Sequence, residues 1–477
     1  MRSLLLRFWN SPTLTTWSSF LVRTLSLVLV VPLVLRNFSA GDAALWFVFS
    51  SVLALQALVG FGFGPTFARM IAYARGGLPL EAMHDLRSVP FDAGSGSLDL
   101  KTLGRLWSCM KTVFAVLSVG SIALLATAGT AAVWKSVAES SEITESWFAW
   151  SAIVLASGAA MWGTIYGSYL LGLERVALLR RIETATSLVA IFAAFSVLLA
   201  GGGILSLIVS NQLCIALGVG VMAFFCADAE DGALRRLPPW HWDAQVFRVV
   251  WPVAWKHGIT SVMTTGLVQS TALIQAQFGN PAATATYAFT FRIAMMLGQM
   301  AQAPFISKLP TLARLRAESR EQEQIALLRR GMGWTHAAVV LGVLAYAIFA
   351  GPLLDLIGSK SVVFDPKLWA LFALNVFFDR YTAMLQQVRN LTNRPAEHVG
   401  MLGYSSVMIT VLVLTLPKLG MYAFPLSMLA AQVLFALWFG GYIAYRSLHV
   451  NPLAFESCLA LPAGLCTTAL FLWLWFS

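Results

Sequence analysis

The sequence is short of charge. Only 11% of its 477 residues are Asp, Glu, Lys or Arg, and 58% are hydrophobic; soluble domains carry about 25% charged residues. A soluble core stops growing at about 250–300 residues, and no polar half is present here to form a second soluble domain. A soluble enzyme is therefore excluded. Cysteine is scarce: Cys109, Cys214, Cys226, Cys458 and Cys466 fall in apolar segments without metal-ligand spacing, so they read as small buried hydrophobes. HExxH, GxSxG, P-loop and CxxC signatures are missing, as is any paired-aspartate metal site. The expectation is a non-enzyme with no cofactor and no metal. Alternating stretches of about ten residues, the mark of a membrane β-barrel, are also lacking.

What is present is a succession of apolar runs, each long enough to cross the ~30 Å hydrocarbon layer. The fold class expected is an all-α polytopic membrane protein. Spans are expected near 14–35, 43–67, 106–133, 147–171, 184–201, 203–226, 249–277, 285–306, 332–354, 368–388, 398–416, 421–445 and 454–475. Residues 14–35 exceed a signal-peptide core and lack a small-residue cleavage site after them, so they read as the first span.

Placing the N-terminus in the cytoplasm puts 22 Lys/Arg in inner segments and five in outer ones. That asymmetry sets the orientation, and it accounts for most of the net charge of +10 without any nucleic-acid partner. Trp107, Trp251 and Trp334 fall at inner ends, and Trp46, Trp134, Trp147 and Trp369 at outer ends, as interfacial aromatics. The outer loops are short, leaving no room for an external catalytic domain. The stretch 311–330 has two readings, a surface-lying amphipathic helix or a solvated helical linker.

The halves resemble each other. Phe38 and Phe278 open short outer loops 240 residues apart, and Pro65 with Arg69 matches Pro304 with Lys308 at an offset of 239. Trp46 and Tyr287 hold similar places. Six spans per repeat keep both in one orientation, so the repeats would be parallel. The expected organisation is an N-terminal bundle over 1–226, a cytoplasmic linker over 227–248, a C-terminal bundle over 249–446 and an additional span in 447–477. The two six-helix bundles would be related by a pseudo-two-fold axis along the membrane normal.

Charges inside the bilayer cost at least ~2.5–3.5 kcal/mol each on insertion scales and so call for a reason. Five bases fall within spans, Arg23, Lys111, Lys256, Arg292 and Arg380, against one deep acid, Asp379. Such an excess suits an anionic ligand, phosphate above all, since Arg offers a planar fork of donors and Lys a point charge. Lys111 and Lys256 are near enough to span ends to snorkel. Asp379 is a candidate structural counter-ion for Arg380, yet sequence neighbours point about 100° apart on a helix and do not pair neatly, so either could instead face other helices. The seventh span is unusually polar. His257, Ser261, Thr265 and Gln269 follow i+4 spacing and would line one face, either towards an aqueous cavity or in hydrogen bonds between helices. Asp379 and His257 are the deep groups able to exchange a proton. Pro32, Pro252, Pro304 and Pro425 are expected to interrupt spans.

These patterns resemble the Wzx-type flippases, the polysaccharide-transporter branch of the multidrug/oligosaccharidyl-lipid/polysaccharide exporter superfamily. The likeness rests on the Phe38–Asp42 loop, Gly60–Arg69 (GFGFGPTFAR), the seventh and eighth spans with Tyr287 and Pro304, Gly351–Gly358 (GPLLDLIG) and Asn393–Pro395 (NRP). It implies paired bundles around a cationic central cavity, and alternating access that flips an undecaprenyl-diphosphate-linked oligosaccharide across the bacterial cytoplasmic membrane for surface polysaccharide biosynthesis. Arg23, Lys111, Lys256, Arg292 and Arg380 would meet the diphosphate, and the seventh span the sugar. The partners it implies are the glycan lipid, membrane lipids, a polysaccharide polymerase and a chain-length regulator. The alternative is an ion-coupled multidrug or small-solute exporter of the same superfamily. A cavity for cationic drugs would be expected to hold several acids rather than five bases to one.

Overall fold

The computed structural model describes residues 29–75, 99–232, 240–306, 320–359, 361–390, 397–448 and 450–476, with single positions at 80, 234, 237, 308, 312 and 315. Among the described residues there is helix and no strand. This is what a lipid solvent demands, because a helix satisfies its own backbone N–H and C=O groups. The chain forms two compact units, 38–48 with 271–477 and 49–270 with the described residues up to Asn37.

In the 49–270 unit the chain runs through the second half of α1 (Ala40–Gln56), α2 (Phe63–Arg75) and α3 (Leu100–Leu124). A single π turn over Leu125–Gly129 leads into α4 (Thr130–Ala138). Then come α5 (Ile143–Gly172), α6 (Val176–Leu199), α7 (Ile204–Gly232) and α8 (Ala244–Ser261). A second π turn, Val262–Gly266, leads into α9 (Leu267–Phe278). Phe67, Ile71, Leu106, Met110, Phe114, Ile165 and Tyr169 form the buried centre. Lipid tails are as apolar as leucine, so close packing rather than burial holds such helices together. At Gly163 of α5 even a Cβ would lie 2.4 Å from the Val219 side chain of α7, so only glycine permits that approach.

Asp243 starts α8. Its carboxylate accepts the backbone N–H groups of Gln245 (3.0 Å) and Val246 (3.1 Å), and Arg105 Nε of α3 donates to it at 2.5 Å. The hydrogen bond from Arg105, with the cap, holds the Asp243 carboxyl below the usual carboxylate range against the opposing effect of burial. A depressed folded-state value stabilises above the unfolded value of ~3.9 and is lost as pH falls through the folded one. We expect Asp243→Ala to cost about 1–2 kcal/mol, the worth of a lost cap. Asp243→Asn, which still caps, should cost less. Thermal unfolding of the solubilised protein above pH 5 checks the order, and the wild-type advantage should shrink below pH 4.

The 271–477 unit begins with the end of α9 and continues with α10 (Pro281–Ala301), α11 (Ala303–Ile306), α12 (Glu321–Ile357), α13 (Pro366–Asn390) and α14 (Glu397–Leu419). α15 (Ala423–Ala431) passes through a π turn into α16 (Leu437–Leu448), and α17 (Pro452–Glu456) and α18 (Ala460–Phe476) close the chain. Every residue from 284 to 291 in α10 and from 368 to 377 in α13 is buried. These two helices form the interior of the unit.

Seven described stretches are long and apolar enough to cross a membrane: Ala40–Gly60, Leu100–Ala138, Ile143–Gly172, Val176–Leu199, Ile204–Ala229, Glu321–Ile357 and Val399–Arg446. α8–α9, α10 and α13 are not among them, and these are the helices that carry Lys256, Arg292 and Arg380. The expected spans from the second to the thirteenth each find a helix. Most of the first span lies outside the described residues, as does most of 311–330.

Several expectations need correction. Pro304 and Pro425 sit in the first turns of α11 and α15, where no helix hydrogen bond is lost. Pro252 lies inside α8. Trp46, Trp107 and Trp369 are buried packing residues; Trp369 Nε1 donates to the Val343 carbonyl at 3.1 Å. Trp134, Trp251 and Trp334 are exposed, as interfacial aromatics should be. Cys109, Cys214 and Cys226 are buried, whereas Cys458 and Cys466 are exposed.

The two paired segments are alike in local structure. Ser39 Oγ accepts the Asp42 N–H at the start of α1 (3.2 Å), and Asn280 Oδ1 accepts the Ala283 N–H at the start of α10 (2.7 Å). The first half then breaks at Phe61 and Gly62, both with positive φ. The second breaks at Gln302, between α10 and α11. Each half resumes in a proline-bearing helix, with Pro65 in α2 and Pro304 in α11.

Candidate functional site

Arg23 lies outside the described residues. Lys111 and Lys256 belong to the 49–270 unit, Arg292 and Arg380 to the other.

Lys111 is half-buried on α3, with its ammonium 6.0 Å from the ring centroids of both Trp107 and Trp240. The Trp240 indole is held in place by its Nε1–H, which donates to Thr112 Oγ1 at 2.7 Å. Lys256 is exposed on α8. Its neighbour His257 is also exposed, with Nε2 3.3 Å from Arg69 Nη2 of α2. A guanidinium can only donate, so the imidazole accepts and is neutral in this contact. Arg69 thus adds a base beside the polar helix; as a residue near a span end it gives no intramembrane signal in the sequence.

The polar stripe crosses the π turn between α8 and α9. In an α-helix each i+4 step overshoots a full turn by about 40°. The wider π turn counteracts that drift, keeping Ser261 and Thr265 closer to register. His257 and Thr265 are exposed, Ser261 and Gln269 half-buried.

Arg292 projects from the interior helix α10. Its guanidinium carbon lies 4.9 Å from the Trp46 ring centroid and 5.2 Å from that of Phe47. Both rings come from α1, which the chain contributes to this unit over 38–48. Among the described residues Arg292 has no carboxylate partner. Cation–π contact engages the guanidinium face and is worth about 0.5–2 kcal/mol. The N–H donors lie in the guanidinium plane, so the face can stack while the edge remains able to grip an anion. Trp46 and Phe47 carry no sequence signal as site residues, because only tertiary packing sets them under Arg292.

Arg380 is differently placed. Its Nε (2.9 Å) and Nη2 both donate to Asp379 Oδ2, and its Nη1 donates to Gln302 Oε1 at 2.5 Å. Of the two readings of these sequence neighbours, the structure takes the one in which Asp379 is the counter-ion. The Arg side chain is long enough to fold back across the angular offset. Its charge is matched inside the unit, whereas Arg292 has no acidic partner among the described residues.

No protein-family model matches the sequence, and no curated protein matches it. Solved structures do. An inward-facing multidrug resistance MATE family transporter of the MOP superfamily superposes with a TM-score of 0.68 at 12% identity, covering 92% of this chain and 96% of that one. The lipid II flippase MurJ, in an inward closed conformation, gives 0.64 at 11% identity, with 97% of each chain covered. A MOP superfamily transporter from Pyrococcus furiosus, described as having a binding pocket of reverse polarity, gives 0.52 at 13%, covering 93% of this chain and 98% of that one. At these identities the likeness establishes the fold. The chain is a multi-pass helical membrane protein with the architecture of MOP superfamily transporters, and the proteins it resembles are transporters and flippases rather than enzymes.

Proposed function

We propose that the protein is a lipid flippase of the MOP superfamily that moves an undecaprenyl-diphosphate-linked oligosaccharide across the bacterial cytoplasmic membrane, with its N-terminus in the cytoplasm. The observation that carries the reading is Arg292, stacked on Trp46 and Phe47 with no described carboxylate partner. A diphosphate headgroup supplies the charge that such a base lacks. The excess of intramembrane bases points the same way, and the MurJ likeness supplies a lipid-linked precedent on this fold. The 49–270 unit offers candidates of its own, Lys111 and Lys256 for an anionic group and Ser261, Thr265 and Gln269 for sugar hydroxyls; Arg23 is a further candidate base. A polysaccharide polymerase and a chain-length regulator are the partners this role implies.

The second reading, an ion-coupled multidrug exporter, has in its favour the MATE likeness at TM-score 0.68. A binding assay on the full-length protein in lipid nanodiscs separates the two. We expect a fluorescent short-chain polyprenyl-diphosphate oligosaccharide to bind and to be displaced by free pyrophosphate, and a cationic dye not to bind. Binding of the dye without the diphosphate lipid would favour the exporter.

A further inference from the structure

The 271–477 unit contains a buried carboxyl that the headgroup reading does not use. Glu456, at the end of α17, is 6% exposed. Its Oε1 accepts the Tyr445 hydroxyl of α16 at 2.5 Å, and its Oε2 accepts the Ala460 N–H at the start of α18 at 3.3 Å. Tyr445 in turn shares a 2.5 Å hydrogen bond with the Tyr381 hydroxyl of α13. The Tyr381 ring packs 5.7 Å from the ring of His336 on α12, a fully buried imidazole with no hydrogen-bond partner on either nitrogen. Thr335 Oγ1 beside it is also buried without a partner. Among the described residues the cation beside the cluster is Arg329 of α12, which lies over the Phe455 ring at 5.0 Å. Three helices and the short α17 therefore bring a carboxyl, two phenols and an imidazole together, and α18 adds a backbone N–H.

We propose that Glu456 is a proton-binding site of this transporter, and that Tyr445 and Tyr381 form the chain through which its protonation reaches α13 and α12. With Glu456 ionised, every hydrogen bond in the chain runs towards it: Tyr381 donates to Tyr445, and Tyr445 donates to the carboxylate. A proton delivered by water to the carboxylate converts an acceptor into a donor. The Glu456 O–H then donates to Tyr445, Tyr445 donates to Tyr381, and the Tyr381 hydroxyl must find a new acceptor on the side where His336 lies. No charge beyond the one proton moves, and no other bond is made or broken. Access is short, because Ser457 and Cys458 in the adjoining turn are exposed. The carboxyl is buried, and burial disfavours its charged form unless donors and a nearby cation offset the cost. Asp379, by contrast, is paired with Arg380.

The rival is a static staple that pins α18. It predicts no response to a gradient. The proposal needs a transporter but not a particular cargo, so the first test uses no substrate. Infrared spectra of the purified full-length protein in nanodiscs are recorded across pH. A protonated-carboxyl band should titrate with pH, vanish in Glu456→Gln, and titrate at higher pH in Tyr445→Phe, which removes a donor to the ionised form. Absence of the band in wild type, or its persistence in Glu456→Gln, would overturn the proposal. The second test loads vesicles with a labelled short-chain polyprenyl-diphosphate oligosaccharide and imposes a gradient of one pH unit. Wild-type distribution of the label should shift by up to about tenfold, the ceiling for one proton per cycle, and Glu456→Gln should not respond. An equal response in both would sink the coupling role. A wild type that moves no label would count against the glycan-lipid reading instead, and the infrared result then decides the proton site on its own.

Discussion

Arg292→Ala is expected to abolish movement of the glycan lipid while the protein stays folded and inserted. A hydrogen bond to a charged group contributes about 1.5–3 kcal/mol, and a bidentate grip on phosphate adds geometric selectivity. Losing one such grip should weaken headgroup binding by roughly 10–100-fold, since 1.4 kcal/mol is a factor of ten. Arg292→Lys keeps the charge but loses the fork and the flat stack on Trp46 and Phe47, so it should recover only part of the affinity. Trp46→Leu removes the platform and should fall between wild type and alanine. Lys256→Ala, at an exposed position, should impair transport less than Arg292→Ala. The measurement is translocation of a labelled polyprenyl-diphosphate oligosaccharide in vesicles, with size-exclusion profiles to confirm folding. Wild-type transport by a folded Arg292→Ala protein would remove the diphosphate-binding role.

The second large effect is expected at Gly62, where α2 leaves the break after α1. Its φ is +73°, and an added Cβ would lie 2.5 Å from the Ala254 carbonyl oxygen, 2.7 Å from His257 Cβ and 2.9 Å from the Gly258 nitrogen. Two of these three are backbone atoms of α8, which cannot swing aside as a side-chain tip can. Gly62→Ala therefore combines left-handed strain of about 1–2 kcal/mol with overpacking of about 1–3 kcal/mol. The outcome should be a markedly lower melting temperature, and a displaced α8 that separates His257 from Arg69. Gly120→Ala is the matched control. Nothing lies within 4 Å of its Cβ, it sits inside α3, and alanine favours helix over glycine. A Gly62→Ala protein as stable as Gly120→Ala would show that α2 and α8 do not meet as closely as described.

Much of the candidate site is legible in the sequence. Lys256, Arg292 and Arg380 stand out because charge in a span is expensive, and the helices bearing them prove too polar to qualify as simple lipid-crossing rods. The pairing of each base is not legible. Residues i and i+1 diverge on a helix, which leaves Asp379 as counter-ion and a contact with other helices both open for Arg380; its flexible side chain decides for the first. Arg292 reads as a lone charge, yet rings about 245 residues earlier in the chain lie beneath it. Glu456 gives no signal, since it sits at the edge of an expected span and its tyrosine partners come from two other helices.

Composition alone determined the class. A chain so poor in charge and so rich in long apolar runs must live in lipid, and lipid leaves the backbone no partner but itself, hence helices. Tertiary structure alone decided which polar groups are satisfied within the protein and which are held ready for something else. Arg380 closes on Asp379 and Gln302, Arg292 rests on two aromatic faces, and Glu456 gathers two phenols, because electrostatic matching depends on distances of a few ångströms between residues that the linear chain keeps far apart.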